Sequence, residues 1–415
     1  MGQITSKENA IVFDDGPVND AAGRFRMGVP HQIYASQLTY DTNNTWAEDI
    51  NGVGASVTYL HNESSANLNV GTVDGEYVVR QTYENFHYVP GKSQMVTMTG
   101  ILGIPKANVI GRIGNFDDEN GLFFQVDGSG VSVGRRTYTS GSIVNVNVYQ
   151  ADWNIDKMDG HGPSRINLDP SKVQLFVIDY LWQGVGRVRF GLNIDGINYY
   201  VHQMVTANIE SVVYMSRAIL PLRYEIRNVG TTASASYLKH ICSSIVSEGG
   251  EQIPGLEFAA ATGVPLRAIS TTRTPLIAIR LMDTFRGFKN LKHADLLSAR
   301  AITNGADSFF ELVHVHDASV VVGTWNPVDD DSCMEYTTDV TSITAATQHI
   351  IDVGYVPANQ GSFSGTSDAK VEVLSNHTRL RMEPFTRNSQ MFVIYARTLA
   401  GNGDVGVGLN WIEYE

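Results

Sequence analysis

Arg187-Val188-Arg189-Phe190-Gly191-Leu192-Asn193-Ile194-Asp195-Gly196-Ile197-Asn198-Tyr199-Tyr200-Val201-His202 is the stretch from which the fold of this chain is read. Val188, Phe190, Leu192 and Ile194 fall on one face of an extended segment, with Arg187, Arg189 and Asn193 on the other. Asp195-Gly196 supplies the residue pair favoured in a type I′ turn and a second β-rich run follows, so the stretch predicts a hairpin.

The same grammar recurs outward from this hairpin. Turn signals at Asn51-Gly52, Asp74-Gly75, Asn120-Gly121, Asp127-Gly128, Asn304-Gly305 and Asn402-Gly403 each sit beside runs rich in Val, Ile, Phe or Tyr. Short strands with regular punctuation indicate sandwiches or jelly rolls. Val173-Gln174-Leu175-Phe176-Val177-Ile178 is apolar on both faces, as expected of a strand covered on both sides. One helix is expected, from Asn290 to Ala301, where Leu291, Ala294, Leu297 and Ala301 share a helical face. No repeat with a period of about 20 to 50 residues is seen, which argues against a solenoid or propeller.

A Gly-, Pro- and charge-rich stretch, Ser247-Glu248-Gly249-Gly250-Glu251-Gln252-Ile253-Pro254-Gly255, separates two strand-rich halves. The expected class is all-β: an extended N-terminal arm with short strands over 1–70, a β-sandwich or lectin-like jelly roll over 71–247, a linker over 248–255 and a second sandwich over 256–415.

Composition narrows the function classes. Of 415 residues, 43% are hydrophobic and 18% charged, a globular balance. The formal charge of -13 argues against a surface that wraps nucleic acid, which needs a basic excess to displace counterions. Two cysteines, Cys242 and Cys333, exclude a disulfide framework and a thiolate zinc site. No apolar run reaches the roughly 18 residues of a membrane helix, and no targeting segment is visible, so no membrane partner is expected. Met1-Gly2-Gln3-Ile4-Thr5-Ser6 satisfies a loose acylation pattern at Gly2.

Catalytic motifs fail on their context. Pro90-Gly91-Lys92-Ser93 resembles the end of a phosphate loop, but Phe86 stands where the first Gly belongs and a strand follows instead of a helix. Gly130-Val131-Ser132-Val133-Gly134 matches a nucleophile elbow literally, yet no helical periodicity follows it. Gly184-Val185-Gly186 leads to Arg189 where a dinucleotide fingerprint requires Gly. Paired carboxylates for glycoside hydrolysis are not singled out among 43 acidic residues.

Metal candidates are more persistent. Asp152 to Asp156 begins like a calcium loop but has Lys157 at the turn and Pro163 at the bidentate position, which excludes an EF-hand. Asp117-Asp118-Glu119 and Asp329-Asp330-Asp331 sit in expected loops where oxygen ligands for Ca²⁺ could converge, although solvated loop charge is the commoner reading. His314 and His316 share a strand face with chelating spacing beside Asp317. In a trimer they could instead ring a symmetry axis. Trp153, Trp182, Trp325 and Trp411 lie in strand or turn contexts and read as core rather than as sugar platforms. Asn43, Asn62 and Asn376 occupy glycosylation sequons that carry little weight without a signal peptide.

A more specific signature is spread over residues 20 to 250. Asp20-Ala21-Ala22-Gly23-Arg24-Phe25-Arg26, Tyr88-Val89-Pro90-Gly91-Lys92-Ser93-Gln94, Arg112-Ile113-Gly114-Asn115-Phe116-Asp117-Asp118-Glu119-Asn120-Gly121-Leu122-Phe123-Phe124 and Trp153-Asn154-Ile155-Asp156-Lys157-Met158-Asp159-Gly160 occur in order. Trp182-Gln183-Gly184-Val185-Gly186-Arg187-Val188-Arg189-Phe190-Gly191, Leu220-Pro221-Leu222-Arg223-Tyr224-Glu225-Ile226 and His240-Ile241-Cys242-Ser243-Ser244 follow, with an echo in Val405 to Glu413. Together they resemble a family of virion structural proteins of tailed bacteriophages and other large DNA viruses.

The resemblance implies a non-enzymatic particle component, made in the host cytoplasm: a capsid-decorating or minor capsid protein, or part of a tail or fibre. Its implied partners are copies of itself, as a trimer, and other virion proteins such as the major capsid protein. It carries no catalytic residue and no cofactor. The N-terminal arm is then expected to order on assembly. The alternative is a lectin-like module that recognises host-surface glycans through exposed Trp, Tyr and Asp side chains.

Overall fold

The computed structural model describes residues 4–7, 10–13, 18–26, 28–250, 255–316, 318–345, 347–358, 363–365 and 379–414. The Gly2 pattern, the Asn376 sequon and Asp317 lie outside them. The protein is all-β: apart from two short 3₁₀ turns, its described elements are strands. It divides between Gln252 and Ile253 into two compact units.

The first unit opens with the β1 (Ile4–Lys7) and β2 (Ala10–Phe13) hairpin. Next come β3 (His31–Gln37), β4 (Trp46–Asn51), β5 (Ser56–Leu60), β6 (Ser65–Val70), β7 (Tyr77–Thr82) and β8 (Gln94–Ile101). They are followed by β9 (Val109–Phe116), β10 (Gly121–Asp127), β11 (Gly130–Thr137), β12 (Val144–Tyr149) and β13 (Gln174–Tyr180). The unit ends with β14 (Val188–Ile194), β15 (Ile197–Met204), β16 (Leu222–Asn228) and β17 (Ser236–Ser247). A seven-stranded antiparallel sheet runs β12-β11-β10-β9-β16-β7-β4. An eight-stranded sheet runs β15-β14-β13-β8-β17-β6-β5, with β3 paired beside β17.

The predicted hairpin is β14-β15. Asp195 and Gly196 have φ of 52° and 81°, as a type I′ turn requires. Val188, Phe190 and Leu192 are buried between the sheets, where Phe124 meets Phe176 at 4.9 Å and Phe190 at 5.6 Å. Each such side chain removed from water contributes about 1.5–3 kcal/mol. Val177 on β13 is buried on the opposite face from Phe176 and Ile178, as its two-sided apolar run predicts.

The expected arm over 1–70 is corrected by these sheets. β3 to β6 all lie within it and are built into the sandwich. β6 explains the misreading: in Ser65-Ala66-Asn67-Leu68-Asn69-Val70, the residues Ala66, Leu68 and Val70 are fully buried while Asn67 and Asn69 face outward. The outward Asn67 and Asn69 of an alternating strand make the segment look polar in sequence although its other face is core.

In the second unit a six-stranded sheet, with strands 274–281, 391–398 and 308–315 at its centre, faces another built on 403–414 and 293–304. Leu276, Phe310, Ile394, Leu409 and Trp411 belong to one buried cluster. The expected helix over 290–301 is the strand His293–Asn304, paired along its length with Gly403–Tyr414. Ala299, Ala301 and Thr303 alternate inward, so sheet pairing overrides the helix propensity of Ala and Leu.

Candidate functional site

Two side-chain rows cross the outer face of the eight-stranded sheet. Register aligns Gln37, Cys242, Thr99 and Leu175 on β3, β17, β8 and β13, and beside them Ala35, Ser244, Thr97 and Val177. Small residues at the centre and longer ones at Gln37 and Leu175 leave a groove of about 470 Å³. Its lining holds hydroxyls, an amide, a thiol and patches of aliphatic surface, with no charged side chain among the described residues.

The groove floor is rigid for a local reason. The β17-β8 register shifts between His240 and Cys242, leaving Ile241 as a bulge. From inside the sandwich the Tyr224 hydroxyl lies 3.1 Å from the carbonyl oxygens of both Thr99 and Cys242, and 3.0 Å from Ser243 Oγ. Burial pushes the Tyr224 hydroxyl up, so it stays a donor. On the groove side Thr97 Oγ1 and Ser244 Oγ are 2.6 Å apart. Burial also raises the Cys242 thiol, which is therefore neutral near pH 7. The sequence signal was available as alternating small polar residues in Thr97-Met98-Thr99 and Cys242-Ser243-Ser244, but their alignment across strands was not.

Further along the same face, Asp179 is buried against four donors. Arg26 Nη2 donates to it at 2.7 Å, Ser93 Oγ at 2.8 Å and Tyr200 at 3.0 Å, and Arg189 completes the set. Residues 18–26 form a strap over this point. Arg189 Nη2 donates to Asn19 O at 2.6 Å, Arg187 Nε donates to Ala21 O at 3.1 Å, and Arg26 also pairs with Glu248.

The outer face of the seven-stranded sheet is chemically different. Buried Glu225 accepts from Arg112 Nη1 at 2.8 Å and forms ion pairs with Arg227 at 2.8 Å and Arg223 at 3.5 Å. Burial opposes its ionisation, but Arg112, Arg227, Arg223 and Arg136 outweigh burial and bring it down to about 2. Burial and neighbouring guanidiniums lower Arg136 to about 10. Glu225 is thus held as a carboxylate and unsuited to donate a proton near neutrality. Phe116 and Phe123 underlie the arginines, with Arg112 5.2 Å above Phe123 and Arg223 5.4 Å above Phe116.

The sequence-based candidates fall elsewhere. Asp117 caps its own loop by accepting from the backbone of Glu119 and Asn120, both at 2.8 Å, and pairs with Arg217. Glu119 also pairs with Arg217, and Asp118 with Arg223 at 2.7 Å. Asp329 caps Asp331 and Ser332, and Asp331 pairs with Arg286. These carboxylates are committed to arginines and turns. His314 and His316 do meet, with ring centroids 4.2 Å apart, and His349 adds a third ring at 5.1 Å from His316. However, Gln390 sits between the first two: its Oε1 accepts from His314 Nε2 at 3.2 Å and its Nε2 donates to His316 Nδ1 at 3.3 Å. The two nitrogens do not offer lone pairs to one ion, and no group of three or more metal-ligating side chains is found among the described residues. Trp153 and Trp411 are core, while Trp325 lies 4.0 Å under Arg280.

The sequence matches no protein-family model and no curated protein. Similar solved structures include a glycosyl hydrolase family 16 protein from Mycobacterium smegmatis, at 8% identity and a TM-score of 0.35, over 52% of this chain and 100% of that one. An endo-β-1,3-glucanase from Pyrococcus furiosus is 10% identical with a TM-score of 0.33, over 53% and 95%. The CBM2 module of the evolved Dit protein of Lactobacillus casei BL23 phage J-1 is 8% identical with a TM-score of 0.34, over 54% and 99%. The expectation of a non-enzymatic chain is withdrawn, because glycosyl hydrolases stand among the similar structures. At these identities and TM-scores no activity, substrate or residue is carried over in its place.

Proposed function

We propose that the first unit is a glycan-binding module, with a neutral saccharide held in the groove between β3, β17, β8 and β13. The observation that carries this is the groove itself: about 470 Å³, uncharged, and lined by convergent Ser, Thr and Gln groups beside aliphatic surface. Saccharides offer paired hydroxyls and apolar C–H faces, and a small-ligand cleft is built from matching polar groups on an apolar ground. A net charge of -13 disfavours anionic glycans and leaves neutral ones. The virion-protein resemblance supports display of this module on a virus particle facing the host surface. Detection of the chain by mass spectrometry in washed particles tests that placement.

Glycan-array binding tests the groove. Thr97→Trp and Ser244→Arg, which fill its floor, abolish binding, whereas Asp118→Asn and added EDTA leave it intact. A bound glycan also slows alkylation of Cys242, the exposed one of the two thiols. Binding that survives both floor substitutions in folded protein places the glycan elsewhere.

A further inference from the structure

At one end of the first sandwich a separate cavity of about 370 Å³ opens between the sheets. Register aligns Ile226, Gly111 and Val126 across β16, β9 and β10. A Cβ at Gly111 would stand 3.1 Å from Leu102 O and 3.2 Å from Val126 Cγ1, closer than ordinary contact, so Leu102 and Val126 close over the glycine as part of the cavity wall. Leu102, Val109, Val126 and Ile226 make a buried apolar wall, while Ile104 and Tyr237 stand 66% and 47% exposed at the lip.

The lip also holds a cation. Lys106 Nζ donates to Ser234 Oγ at 2.9 Å, Ser236 Oγ at 3.0 Å and Ala235 O at 3.2 Å, and also to Ser234 O. Every one of these acceptors is neutral, and no carboxylate pairs with Lys106 among the described residues. An ammonium held by neutral dipoles keeps its charge uncompensated and readily exchanges a neutral acceptor for an anionic one.

We propose that this cavity binds an aliphatic carboxylate, its chain against Leu102, Val109, Val126 and Ile226 and its head group on Lys106. The site is independent of the glycan groove and shares no lining residue with it. An apolar chamber alone would take any small hydrocarbon. The lysine at its mouth selects the anion-headed one, through complementary charge at the place where a chain inserted into the chamber must end.

The test is calorimetric titration of the full chain with sodium octanoate, 1-octanol and octylammonium chloride. Octanoate binds most tightly and octylammonium does not bind. Lys106→Met weakens octanoate by about tenfold or more, the loss of one charge-assisted contact, and leaves 1-octanol unchanged. Ser234→Glu, an exposed substitution that neutralises the ammonium without touching the core, has the same selective effect. Equal binding of octanoate and octylammonium, no binding of octanoate, or indifference of octanoate to both substitutions overturns the proposal.

Discussion

Glu225 illustrates how one residue sets the character of a whole sheet face. Its carboxylate, fully buried, is the anion that Arg112, Arg223 and Arg227 contact directly. Replacing it by Gln keeps the volume but leaves crowded guanidiniums without their counter-charge. Glu225→Gln is therefore expected to cost about 3–5 kcal/mol, read as a lowered urea midpoint of the first unit, with folded-state groove binding retained. The Arg223-Tyr224-Glu225-Ile226-Arg227 alternation was legible as a strand with one charged face. That its charges would meet Arg112 and Arg136 was not, because register between β16, β9, β10 and β11 is a tertiary fact.

At the scale of elements, the strap over residues 18–26 shows sequence and structure parting company. An Asn-, Asp- and Gly-rich segment looks as if it needs a partner to order it. Its partner is its own sandwich, through Asp179, Arg189 and Ser93. Asp179→Asn removes the charge that Arg26 and Arg189 share, and is expected to release the strap. Trypsin then cleaves after Arg24 and Arg26 several-fold faster than in the native chain, while the β14-β15 hairpin stays protected. Unchanged cleavage means that backbone contacts alone hold the strap. The hairpin was readable because turn chemistry and side-chain alternation agree within sixteen residues. The strand at 293–304 was not, because its Ala and Leu residues suit either period and its pairing partners lie 100 to 121 residues away.

For the molecule as a whole, two units with separate cores are expected to answer acid differently at defined residues. In the second, burial first, then His316, Arg381 and His349, bring His314 down to about 3 from 6.5, although its bond to Gln390 opposes this. The unfolded chain therefore binds a proton between those values that the folded unit does not. The stability associated with neutral His314 is present above about pH 6.5 and is lost as pH falls toward 3. Denaturant midpoints of the second unit should fall from pH 7 to pH 5, and His314→Gln should flatten that slope. An unaltered slope assigns the dependence to other groups. The groove belongs to this scale too: its rows take residues from positions 35 to 244, each unremarkable in its own segment.

β3 and β17 are antiparallel neighbours whose outer ends, His31 and Ser247, face each other, and Arg26 bridges to Glu248 just beyond them. A load applied between residues 18 and 250 would therefore bear first on the strap's contacts with Arg189, Arg187, Ser93 and Asp179 and on that clasp, then peel β3 from β17 one rung at a time. It would not shear the whole ladder at once. Such a joint yields at low force and re-forms when slack returns, leaving most of the sandwich under no tension.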